Sequence, residues 1–395
     1  MQTAFRTLKM NYPKPIYIAA ARRTAIGRFG GGLKTRSPLE LALPVAQAVV
    51  SDGLRASIDQ VIMGQVLQVG SGMNVARQLG LALGAPQTAP AFTVNMVCAS
   101  GLKSIMLGAD AVALGAASLV LAGGVESMSR VPHYSADVRW GRKLGNGEMA
   151  DAIFTDGLTD PQLKISMGET AEQIADRLVI SREAQDEFAA LSQQRAAAAK
   201  TGFQREIVSV NTPDGEIAAD EHPRADTTRG KLALLKPAFR VDGTVTAGNS
   251  SGLNDGAALV LVADEAGLRR HSLSARARIV AATAVGCDPA MMGLGPVAAI
   301  RQVCAETGWR LDEVDAVEIN EAFAAQVLGC ARELSLDVGK LNRRGGAIAL
   351  GHPIGCSGAR ILVTLLHLME DLNLRRGIAS LCVGGGMGVA IALER

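Results

Sequence analysis

What most constrains this chain is a resemblance between its two ends. Ala99-Ser100-Gly101-Leu102-Lys103 opens an apolar run of helix length, and residues 118–124 follow as a short β-rich segment closing on two glycines. Cys356-Ser357-Gly358-Ala359-Arg360 opens a second such run, followed by residues 380–386. The offsets nearly repeat: 23 residues from Ser100 to Gly123, and 27 from Ser357 to Gly384. Each unit reads as helix, buried strand and glycine-rich turn.

After the turn the copies diverge. The C-terminal copy continues at once into a strand over 388–393, whereas the matching strand of the first copy is residues 256–262. About 130 residues intervene there. The insert has its own character: a long amphipathic helical region over 169–200, with Ser181 as N-cap, and polar turn sequence around Asp214-Gly215 and Glu221-His222-Pro223. The predicted organisation is α/β. Residues 1–125 and 250–275 form the first of two duplicated α/β domains, 126–249 an inserted lid or binding subdomain, and 276–395 the second domain. Nearly all-apolar strands alternating with helices predict mixed central sheets covered on both faces. A length of 395 residues suits two or three domains.

Composition excludes several functions. Lys+Arg 40 against Asp+Glu 38 provides no basic field for nucleic acid, and 3% aromatics offer few bases a stacking surface. The six cysteines form no CxxC pair, so neither a zinc site nor a disulfide scaffold is signalled and a reducing compartment fits. The longest uncharged stretch, between Arg77 and Lys103, carries Pro86, Pro90, Gln78, Gln87 and Asn95 and does not read as a membrane helix. No secretory signal is evident. The absence of Asp and Glu before Glu40 leaves a short transit peptide within residues 1–15 as a minor alternative.

Four positions carry chemistry. Cys98 lies where a β-like run meets a helix start, and the dipole and free N–H groups there are expected to lower its pKa. The competing reading is a buried cysteine acting as a small hydrophobe. His352 sits in Gly351-His352-Pro353-Ile354-Gly355, a proton carrier in a glycine loop or a structural histidine. Cys382 ends an apolar strand before Val383-Gly384-Gly385-Gly386, whose N–H groups can face a developing oxyanion. Core packing is its alternative. Asn320, in Asn320-Glu321-Ala322-Phe323, could hold a water or a carbonyl, or cap the next helix. The glycine runs are weak phosphate signals, since no GxGxxG or GxxxxGK[ST] occurs at a strand–helix junction.

Together, residues 95–101, Asn320-Glu321-Ala322-Phe323, Gly351-His352-Pro353-Ile354-Gly355 and Cys382-Val383-Gly384-Gly385-Gly386 resemble the thiolase family, in the family's order. The segments 243–249, 252–258 and 181–189 add to the likeness, which spans about 16–393. The resemblance implies a thiolase fold and an acetyl-CoA C-acetyltransferase, condensing two acetyl-CoA to acetoacetyl-CoA with release of CoA, and reversing it. Cys98 would be the acylated nucleophile, His352 its proton acceptor and Cys382 the base for the α-proton. His352 with a water on Asn320, and the N–H groups of Cys98 and Gly384, would form two oxyanion holes. Arg224 and Ser251 would contact CoA; Met167 and Phe323 belong to the same expected substrate set. No metal or redox cofactor is called for, and coenzyme A thioesters are substrates. A homodimer or homotetramer in the cytoplasm, within fatty acid metabolism, is implied, with no nucleic acid or membrane partner.

Some positions depart from the family pattern. Ser166 replaces a frequent histidine, Arg343-Arg344 stands where Asn is commoner, and Cys356 where biosynthetic members often have alanine. All three bear on acyl-chain preference. Arg229 and Lys231 make their segment unusually basic, either for CoA phosphates or as a solvated loop. The rivals are a degradative 3-ketoacyl-CoA thiolase of longer chain length, a decarboxylating ketoacyl synthase, and a non-catalytic thiolase-like CoA- or lipid-binding protein. The synthase would want a second active-site histidine, and the binding protein would be expected to lack part of the cysteine–histidine–cysteine set.

Overall fold

The structure, a computed structural model, describes residues 12–395. The transit-peptide alternative falls mostly on residues outside these. Nine strands make the spine of an 11-stranded sheet: β1 (Ile16–Thr24), β2 (Gln60–Gly64), β3 (Ala91–Val94), β4 (Leu119–Ser127), β5 (Asn254–Asp264), β6 (Ala277–Gly286), β7 (Ala316–Ile319), β8 (Arg376–Val383) and β9 (Met387–Glu394). Their order is β7-β8-β9-β6-β1-β5-β4-β2-β3. The two halves, expected as separate sheets, join edge to edge where Ile16–Ile18 of β1 pairs antiparallel with Ala277–Ile279 of β6.

The duplication is visible in the hairpins. β8 and β9 pair antiparallel across the Gly384–Gly386 turn, with Gly385 and Gly386 at φ 83 and 84, a region that penalises any Cβ. β4 and β5 pair in the same sense, Leu119 with Ala263 through Ser127 with Asp255, but residues 128–253 intervene.

The main helices are α1 (Pro38–Val49), α2 (Val75–Leu83), α3 (Ser100–Ala113), α4 (Met167–Leu178), α5 (Arg182–Ala198), α6 (Gly295–Thr307), α7 (Ala324–Leu334) and α8 (Ile354–Asp371). The helical region expected over 169–200 is two helices, the second starting at the expected Ser181 cap. Val179 leaves α4 at φ 50, and Ser181 caps α5 by accepting from the Ala184 N–H.

Strand alternation sorts the side chains into layers. Val120, Ala122, Val260, Leu381 and Ile391 pack on α3 and α8; Leu119, Leu121, Leu259 and Leu261 pack on α1 and α2. In the second half Ile378, Ala390 and Ala392 face α6 and α7. Helices α3 and α8 thus lie between the halves, and α8 is buried from Ile354 to Met369. Fully burying each Val, Leu or Ile there stabilises by roughly 1.5–3 kcal/mol.

Glycines set how closely this central layer packs. A Cβ on Gly101 would lie 2.8 Å from the Gly355 carbonyl oxygen, and one on Gly358 would lie 2.5 Å from the Leu102 nitrogen. A Cβ on Gly124 would overlap the Gly355 carbonyl outright. No helix among the described residues is long and apolar enough to cross a membrane.

Gly124→Ala is therefore expected to destabilise the protein by about 1–3 kcal/mol or more through overpacking. Gly53→Ala, where a Cβ meets nothing within 4 Å, should stay within roughly 0.5 kcal/mol. Denaturant titration of both variants checks the contrast.

Candidate active site

Cys98 sits on a strained turn at the start of α3. Val97, a β-branched residue, is held at φ 46. Three bonds enforce that conformation. The Val97 N–H donates to Asn95 Oδ1 at 3.0 Å, the Met96 N–H donates to Ser100 Oγ at 2.8 Å, and that hydroxyl donates to the Val97 carbonyl at 2.7 Å. The residue keeps part of its surface exposed while its sulfur is withdrawn from water. Burial pushes the thiol up to about 11, against N–H donation from Gly384 and from Cys98 itself, which favours the thiolate. The expected lowering is thus reversed. A helix dipole is worth only about 0.3–1 kcal/mol at its terminus, less than the desolvation of a buried thiolate.

His352 is buried at the entrance to α8. Its Nδ1 lies 2.6 Å from Ser357 Oγ, and that hydroxyl donates to the Pro353 carbonyl at 2.9 Å. With the serine proton committed, Nδ1 is the donor and Nε2 is left as an acceptor. Asn320 Nδ2 stands 3.5 Å from Nε2. Burial, and next the charge of Arg360, push the imidazole down to about 3. It is a neutral base at physiological pH. Asn254 fixes the backbone by accepting from the His352 N–H at 2.9 Å.

Asn320 leaves the end of β7 with its N–H on the Ser380 carbonyl at 3.0 Å, and its buried Oδ1 has no hydrogen-bond partner among the described residues. It does not cap α7, where Phe323 holds the N-cap position. Cys382, at the end of β8, is buried beside Met167, Met292, Ala322 and Phe323. Desolvation, and next the neighbouring Cys98, hold its thiol well above the ordinary range. A cleft of about 620 Å³ opens here, with Asn95, Val97, Asp156, Met167 and Gly384 in its walls.

The remaining expected residues divide. Met167 and Phe323 lie in the cluster around Cys382. Ser251 stands nearby, its N–H on the Ala322 carbonyl at 3.0 Å. Arg224 is exposed in the insert, its backbone N–H donating to Gln193 Oε1 at 2.8 Å. Lys231 is engaged by Asp226 at 2.5 Å, and Arg229 lies 3.8 Å from Glu187. The divergent residues have structural partners. Ser166 caps α4 in a reciprocal pair with Glu169, Arg344 pairs with Asp371, and Cys356 is buried within α8.

Two supports escaped sequence reasoning, Ser357 and Glu126. Ser357 lies inside the repeat segment, and its spacing of five after His352 was the available signal. Buried Glu126 accepts from the N–H groups of Val66, Leu67 and Gly355 at 3.0, 3.2 and 2.9 Å, tying β4 to the α8 entrance. No local motif marks it. Among the described residues no His, Cys, Asp and Glu grouping could hold a metal ion.

Known proteins resemble this chain along almost its whole length. Residues 16–266 match the thiolase N-terminal domain and residues 273–395 the thiolase C-terminal domain. An acetyl-CoA acetyltransferase of Chromobacterium violaceum is 49% identical over 96% of this chain and 99% of that protein. The crystal structure of the Bacillus anthracis acetyl-CoA acetyltransferase superposes with a TM-score of 0.94 at 46% identity, covering 97% of this chain and 99% of that one. Human mitochondrial 3-ketoacyl-CoA thiolase in complex with CoA gives 0.95 at 41% identity, over 98% and 99%.

With the Cys98 thiol raised, its reactive thiolate is scarce at neutral pH and increases about tenfold per unit toward the pKa. Carbamidomethylation of Cys98, followed by peptide mass spectrometry without CoA, should therefore keep accelerating through pH 9. A plateau between pH 6.5 and 8 would show a thiolate already formed.

Proposed function

The chain belongs to the thiolase family and is an acyltransferase, and from that premise we propose that it is an acetyl-CoA C-acetyltransferase working through an acetyl-Cys98 intermediate. The observation that carries the reading is that Cys98 and Cys382 are neighbours and that Gly384, which lines the cleft with Val97, donates its N–H to the Cys98 sulfur. His352, with Nε2 free to accept, supplies the base.

In the first half-reaction the Cys98 sulfur bonds to the thioester carbonyl carbon while its proton moves to His352 Nε2. The carbon–sulfur bond to CoA then breaks, and the departing thiolate takes that proton. Because the dyad starts neutral, charge develops only as the carbonyl oxygen becomes an oxyanion, where N–H donors act most strongly in a dry site. In the second half-reaction Cys382 passes its thiol proton to His352 Nε2 and, as the thiolate, removes an α-proton from another acetyl-CoA, and the resulting enolate bonds to the acetyl carbon. Cys98 leaves as a thiolate and takes the proton held on His352, while Cys382 stays a thiol with the former α-proton. A thiol held this high yields a strongly basic thiolate, suited to a weakly acidic C–H. His352 with a water on Asn320 would receive the enolate oxygen. A thiolate is both nucleophile and leaving group, so no metal or redox group is required.

In the same reading residues 126–249 cover CoA, with Arg224 on its nucleotide phosphates, Ser251 on the pantetheine, and Met167 and Phe323 on the acyl side. A homodimer or homotetramer in the cytoplasm is the assembly proposed. A second reading, a 3-ketoacyl-CoA thiolase of longer chain length, is favoured by the size of the cleft beside Cys98. CoA-dependent loss of acetoacetyl-CoA, run beside a 3-ketoacyl-CoA of about ten or more carbons, separates the two. Fast loss of acetoacetyl-CoA alone supports the short-chain enzyme, and equal or faster cleavage of the long chain supports the second reading. Cys98→Ser should abolish either, and no turnover by folded, reduced wild-type protein would overturn both.

Ser357→Ala removes the acceptor for the imidazole Nδ1–H. It is expected to lower kcat by about tenfold or more, while Ser357→Thr, which keeps a hydroxyl, should restore much of it. Steady-state kinetics of both variants makes the comparison.

A further inference from the structure

A second cleft, of about 810 Å³, shares no lining residue with the one beside Cys98. Four parts of the chain wall it, Ala48 of α1 among them. Arg22 comes from β1, Arg205 from the segment after α5, and Arg276, His367, Glu370 and Arg395 from the C-terminal half. Four guanidiniums therefore border one space.

Two of these charges have carboxylate partners. Arg276 grips both oxygens of Glu370 at 2.7 Å, and Arg205 shares Asp371 with Arg344. Arg395 donates to the Met369 carbonyl at 2.7 Å. Like Arg395, Arg22 has no carboxylate within ion-pair distance among the described residues. Its Nη1 donates to the Ala21 carbonyl at 3.2 Å and lies 3.5 Å from His367 Nε2. Burial, then the charges of Arg276 and Arg205, disfavour the protonated form, and Glu370 and Glu206 only partly offset them. Glu206 is itself bound to Arg23 at 2.7 Å and to Thr364 at 3.1 Å. His367 brings no charge, because burial and Arg276 push it down to about 3.

A guanidinium does not discharge at physiological pH, so a half-buried one with no counter-ion is unfavourable until an anion reaches it. Planar donors from several directions match the oxygens of a phosphate group better than a single carboxylate. A volume within the usual range for small-molecule sites leaves room for an organic group beyond the phosphate. We propose that this cleft binds a small phosphate-bearing anion on Arg22, with Arg205, Arg276 and Arg395 around it. The bound anion ties β1, the segment after α5 and the end of α8 together, and so acts on stability rather than on acyl transfer.

Thermal unfolding of the full-length protein tests this, with inorganic phosphate or a hexose monophosphate compared against chloride at equal ionic strength. Near saturation the wild-type midpoint should rise by about 3 °C. Arg22→Gln and Arg205→Gln should each lose most of the rise, with acyl transfer retained. Arg224→Gln, at the position proposed for CoA, should keep the rise. A greater rise with the hexose phosphate identifies an organic phosphate as the better ligand, and an equal rise identifies the free ion; both support the site. Absence of any rise overturns the proposal. So does a rise that persists in both Arg22→Gln and Arg205→Gln, or one that disappears in Arg224→Gln. If Arg22→Gln does not fold, the more exposed Arg205→Gln decides.

Discussion

Two helices meet at backbone distance in the middle of the molecule, because Gly101 and Gly358 leave no side chain between α3 and α8. Cys98 precedes the first turn of α3, and His352 precedes the first turn of α8. The approach that closes the core therefore also sets the spacing of these two side chains. Glu126 reinforces it from β4 by binding the Gly355 N–H. The duplicated helix–strand–turn unit supplies the rest, since the second copy delivers Cys382 and Gly384 at its own hairpin. The long insert in the first copy leaves the paired register of β4 and β5 intact.

Burial decides the electrostatics of this site. It raises both thiols and lowers the imidazole, which keeps the resting groups neutral. A neutral ground state at buried groups leaves the N–H donors to act where charge appears during reaction, where they are worth more than in water. The strain at Val97 has the same sense. A β-branched residue at positive φ is held by three local hydrogen bonds that fix the direction of the next side chain.

Much of the architecture was legible in the sequence because repeats and strand alternation are local signals. Residues 256–262 were recognisable as the partner of 119–124 from their likeness to 388–393, and Ser181 as a cap from its neighbours. The joining of the halves through β1 and β6 was not legible, since it depends on pairing between strands over 250 residues apart. Within the helical region 169–200 the Ser181 cap marked the start of the second helix, while the end of the first at Val179 carries no glycine or proline to announce it. At the site, Cys98, His352, Cys382 and Asn320 announced themselves by their glycine-rich or strand-end settings. Ser357 and Glu126 act through contacts that only the fold creates. The direction of the Cys98 shift also needed the fold, because desolvation has no sequence signature whereas a helix start does.

The proposed chemistry has Cys98 carry the acyl group and Cys382 act only on the second substrate. Rapid mixing of a folded Cys382→Ala variant with acetyl-CoA, acid quenching and peptide mass spectrometry tests both parts together. One acetyl group should accumulate on the peptide containing Cys98, with release of an equivalent of CoA and no acetoacetyl-CoA. Acetyl found on another residue, or no acetyl-enzyme while CoA is released, would contradict this chemistry.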